Sequence, residues 1–135
     1  MRDLERNEGP KNGRYIQGFL VDPWKQKIQL IKFKHSMDEI YKLLKCSTFD
    51  IVTINKKGDG IFVDDEGLYA PIRCPFIVNT DWGKAPLVNN GLILGVDEDG
   101  ESVDPKESYD EIKKRILFGS EAFQGYMSED KTNAH

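Results

Sequence analysis

A chain of 135 residues has room for one domain, and folding at that length hides about two-thirds of the unfolded surface, enough for a real core. With 39% hydrophobic and 31% charged residues it is neither disordered throughout nor fibrous. Its 19 basic and 23 acidic side chains leave a formal charge of -4, which gives no general pull toward nucleic acid or an anionic membrane and is too little acid to imitate a phosphate ladder.

Taken in chain order, "MRDLERNEGPKNG" has a single leucine and ends in glycine, so residues 1–13 read as a polar flexible arm. "YIQGFLV" (15–21) and "KIQLIKFK" (27–34) read as strands joined through the Asp-Pro turn of "DPWKQ". Their apolar positions change phase between Leu30 and Ile31, as a bulge would require. Ser36 and Glu39 have capping-box spacing before a short amphipathic helix over 37–45. "FDIVTIN" and "IFVDD" form a second hairpin across "KKGDG", where glycine supplies a positive φ. "CPFIVNT" and "GLILGV" are further strands, and the Gly, Pro and Asn of "DWGKAPLVNN" make the stretch between them a loop. The acidic stretch from Asp97 to Asp110 reads as a solvated connection. Ser108 and Glu111 then open a helix over about 109–118, closed by Gly119. The tail, 120–135, is mostly flexible, with one further turn through Phe123 and Tyr126. The expected fold is α+β: a single domain over 14–119, a mainly antiparallel sheet of about five or six strands built from hairpins, and two short amphipathic helices.

Chemistry-bearing residues are few. Asp64, Asp65 and Glu66 stand consecutively beside a strand. Paired carboxylates do acid and base work only when their environments differ, and Gly67 marks a strand end in water, so the triplet reads as a polar contact site before a catalytic one. Asp97, Asp99 and Glu101 begin like a calcium loop, but Ser102 and Ser108 occupy the positions that need glycine and glutamate. Cys46 and Cys74 read as reduced thiols, and His35 as a flank to the first helix; they make no zinc site. A Cys and His nucleophilic pair stays open at this point. No phosphate-binding glycine loop is complete around Gly83-Lys84 or Gly58-Asp59-Gly60. Trp24 and Trp82, beside Lys25 and Lys84, combine an aromatic with a cation, as base stacking or partner anchoring would use them; the plainer expectation is that each folds back as a lid on the core. No cofactor and no metal are expected.

The phrases "FLVDP", "MDEIYKLLKCSTFDIVTI", "IFVDDEGL", "APLVNNGLILGVDEDGE" and "SYDEIKKRI", from Tyr15 to about Leu117, resemble the domain-of-unknown-function family 3846. The resemblance implies a small accessory protein of a bacteriophage, prophage or plasmid, at work in a bacterial cytosol, and implies no reaction. No apolar run is long enough to span a bilayer, and the opening residues do not read as a leader, which agrees with that setting. The expected function is therefore non-catalytic binding of a host protein, counter-defence against an immune protein included. The alternative is a homo-oligomer that sequesters a small nucleotide-type ligand through Trp24, Trp82 and nearby lysines; an enzyme using Asp64 and Glu66 ranks below both.

Overall fold

The computed structural model describes residues 14–119; the expected arm and tail lie outside the described residues. The first hairpin pairs β1 (Tyr15–Asp22) with β2 (Lys27–Lys34) in an unbroken register from Tyr15 opposite Lys34 to Asp22 opposite Lys27. No bulge interrupts it. The phase change in the sequence arises because both faces of the hairpin are covered: Ile28 joins one core cluster and Phe33 the other, with Ile31 packed beside it.

Helix α1 (Met37–Leu44) starts at Ser36, whose hydroxyl accepts the Glu39 N–H at 3.1 Å. Glu39 itself turns to Lys42, so only half of the anticipated capping box forms here. Strands β3 (Phe49–Thr53) and β4 (Asp59–Asp64) make the second hairpin, with Gly58 at φ +99 in its turn. A short 3-10 turn (Gly67–Tyr69) leads to β5 (Pro75–Thr80).

The stretch expected as a loop contains a strand, β6 (Gly83–Val88), paired with β5 along its whole length. Pro86 is tolerated because β6 is an edge strand and needs no donor on its open side. After β7 (Gly91–Val96) the acidic connection carries a two-residue strand, β8 (Ser102–Val103), so it is not wholly solvated. Helix α2 (Tyr109–Arg115) has a complete capping box at Ser108 and Glu111. It ends earlier than the expected 118, because Ile116 and Leu117 form β9 against Val78 and Ile77. Burying Ile116 in the core outweighs three more residues of helix.

These strands form a six-stranded antiparallel sheet, β2-β1-β7-β4-β3 with β8 on β7, and a three-stranded sheet, β9-β5-β6. The α+β class with a mainly antiparallel sheet and two short helices is as the sequence reading expects, although nine strands are present among the described residues. Alternation along the central strands divides the core in two. Ile61, Val63 and Ile93 face the small sheet and α2, meeting Phe76, Val78, Ile112 and Ile116. Phe62, Leu92 and Leu94 face α1, meeting Ile40 and Leu44. At Gly95 an added Cβ would collide with the Asp104 carbonyl oxygen, so the β8 segment lies directly on that backbone.

Candidate functional site

Pairing registers give the main sheet two distinct ends. At the first, β1 and β4 end, β7 begins and β5 begins; here stand Trp24, Lys25 and the Asp64 to Glu66 triplet. At the second, β4 begins, β5 ends and β6 begins; here stand Trp82 and Lys84. The anticipated binding residues are thus split between opposite ends.

At the first end, the carboxylate of Asp64 accepts the Glu66 N–H at 2.9 Å, and Asp65 accepts the Thr48 hydroxyl. Asp65 and Glu66 are exposed. Gly67 has no left-handed backbone; it is needed because a Cβ there would meet a Val88 methyl at 2.9 Å. The triplet therefore builds a turn and leaves charge in water. Across from it, α1 ends on Lys45 in a left-handed conformation, φ 56, which drops the chain away from the helix. Between lies an open cleft of about 510 Å³ lined by Tyr41, Lys42, Lys45, Cys46, Asp64 and Glu66.

Burial raises the Cys46 thiol pKa, and the nearby Asp64 and Asp65 charges add to it, so the reactive thiolate is disfavoured. Burial likewise raises Cys74, with Asp22 adding to it. His35 lies past the end of β2, at the opposite end of the sheet from the Cys46 cleft, and burial and Arg14 lower its pKa. The chain does not bring His35 and Cys46 together as a nucleophilic pair.

Both tryptophans are exposed, Trp24 by 51% and Trp82 by 62%, so neither is a lid on the core. Each sits in a pinned hairpin turn: Asp22 accepts the Lys25 N–H, and the Thr80 hydroxyl accepts the Trp82 N–H while donating to the Gly83 carbonyl. Sequence reading missed two neighbours of the triplet. Tyr69 and Ile72, in the connection from β4 to β5, are 87% and 70% exposed. Their signal was an apolar pair in "GLYAPI" with no strand or helix period to bury it.

The second end holds a polar network that the sequence reading also missed. Asp59, fully buried, accepts the Lys106 N–H on one oxygen at 2.8 Å and, on the other, the Glu107 N–H and the Asn55 amide at 3.0 Å each. Arg115 makes two 2.7 Å bonds to Glu107 and reaches the Asn79 carbonyl and Asp81. Hydrogen bonds to Glu107 raise the Arg115 pKa, and the Lys56 N–H followed by Arg115 lowers that of Asp81. These acids fasten loops together. Asp97 behaves likewise, accepting the N–H groups of Asp99 and Glu101, so the calcium-like stretch uses its first acid on its own backbone. Among the described residues no group of three His, Cys, Asp or Glu side chains is placed to hold a metal.

The family model for the domain of unknown function DUF3846 matches residues 16–117. The chain belongs to that family. The matched span runs from the second residue of β1 to the last of β9, so both sheets and both helices fall within it. No curated protein and no solved structure matches the chain. Among the described residues no helix is long and apolar enough to cross a membrane.

Proposed function

We propose that the protein is an accessory protein of a bacteriophage or other mobile element that acts in the bacterial cytosol by non-catalytic binding to a host protein, an immune protein being the first candidate. The observation that carries this reading is the exposure of Trp24, Tyr69 and Ile72 at the end of the sheet where Asp65 and Glu66 stand in water. Tyrosine and tryptophan are the side chains that most often dominate binding energy at protein interfaces, and rim charges set the encounter rate. Trp24 and Tyr69 sit in hydrogen-bonded turns, which supply them at low entropic cost.

Sequestration of a nucleotide-type ligand is a weaker reading, since Trp24 and Trp82 stand at opposite ends and would meet only between copies. An enzyme built on Asp64 and Glu66 is weaker still, because Asp64 is committed to a turn. The test is to express the tagged chain in its bacterial host beside the variant with Trp24, Tyr69 and Ile72 all changed to alanine. A host protein recovered stoichiometrically with the native chain and lost with the variant supports the reading. A nucleotide that raises the melting temperature, with no protein recovered, replaces it.

A further inference from the structure

The six-stranded sheet has two edges, and they are guarded differently. β2 carries Lys27, Lys32 and Lys34 on its exposed positions, the usual protection against a strand docking from outside. β3, "FDIVT", carries no lysine and no proline, and among the described residues it pairs only with β4. Ile51, at its centre, is 50% exposed.

Beside β3, on the face turned toward the small sheet, lies a groove of about 180 Å³. Val52, Val63 and Leu87 form its floor, and Asp50, Asp64 and Asp65 line it without a basic side chain. A strand edge left unpaired among the described residues, an apolar floor and acids of one sign are the parts that strand addition uses: the edge backbone gives affinity, and the side-chain pockets select alternate residues.

We propose that β3 is a docking edge for an extended segment of a partner protein in which apolar and basic residues alternate. The partner segment adds as a seventh strand, its apolar side chains on the face of Ile51 and its lysines or arginines on the opposite, groove face, with their stems over Val52 and Leu87 and their charges toward Asp50 and Asp65. A second copy of this chain is disfavoured as occupant, because pairing β3 with itself sets these acids against their own copies. The inference rests on the binding reading above and adds the edge and the chemistry of its partner.

The test is to titrate the isotope-labelled chain with a short capped peptide alternating lysine and valine, following backbone amides by NMR, and to repeat it with the glutamate and valine counterpart. Shifts and slowed amide exchange confined to 49–53, 63–65 and 86–88 are expected, weaker by about tenfold with the glutamate peptide, with Ile51→Lys or with Asp50→Lys, and weaker in high salt. Both substituted positions are exposed, so folding is expected to survive; a matching thermal melt confirms it for each. Shifts on 27–34, equal affinity for the two peptides, no binding, or self-association that Ile51→Lys abolishes would each overturn the proposal. Should the edge fail while a host protein is still recovered through Trp24 and Tyr69, the binding reading survives without it. Peptide capture on β3 with no host protein recovered has the opposite meaning.

Discussion

The two ends of the main sheet use the same residue type in opposite ways. Around Asp59 and Arg115 the carboxylates of Asp59 and Glu107 are buried, and their oxygens and those of the exposed Asp81 are taken up by backbone and side-chain donors from three separate segments. Around Asp65 and Glu66 they stand in water beside exposed Tyr69 and Ile72. An acid with several buried donors is a fastening, whereas acids beside unburied aromatics are free to meet a partner. Density of charge along the sequence separates the two poorly, since the crowded triplet is the exposed set and the solitary Asp59 is the buried one.

The largest expected effect tests this contrast at its sharpest. Asp59→Ala strands the buried Glu107 N–H and Asn55 amide, takes the acceptor from the part-buried Lys106 N–H, and is expected to lower the unfolding free energy by roughly 3–5 kcal/mol in urea denaturation. Changing Asp64, Asp65 and Glu66 together to their amides is expected to cost under about 1 kcal/mol, and a larger loss would erase the contrast. Next comes Arg115→Lys, which keeps the charge but loses the fork that grips Glu107; about 2 kcal/mol is expected by the same measurement.

A smaller effect follows from His35. Its lowered pKa means that the unfolded chain takes up the proton more readily than the folded one. Its contribution is intact above the ordinary value of 6.5 and declines as pH falls from there through the lowered native value. His35→Gln should flatten that part of a melting-temperature profile against pH; an unchanged profile would show that this end does not sense the proton through His35. Smallest of all, Trp24→Ala is expected to change stability by less than about 0.5 kcal/mol while removing partner recovery.

Much of the fold was legible because local rules and tertiary packing agree. The two hairpins, both N-caps and the α+β class follow from alternation, turn residues and capping spacing. The failures came where context overrode a local signal. Pro86 and Gly83 read as loop formers, yet an edge strand accepts both. Ile116 fits a helical period, but the core beside Val78 claimed it for a strand. The apparent bulge in β2 reflects a sheet covered on both faces, which one strand read alone does not display. Of the candidate site, the acidic turn and both tryptophans were visible. Tyr69, Ile72 and the open edge at β3 were not, because exposure of an apolar residue is decided by what fails to cover it.

The most direct test is native mass spectrometry of the tagged chain recovered gently from bacterial cells that express it. A stoichiometric complex with an intact host polypeptide, lost when Trp24, Tyr69 and Ile72 are replaced by alanine, is the predicted result. A bound mass of only a few hundred daltons, retained by that variant, would contradict the account, because the chain would then hold a small ligand by some other surface.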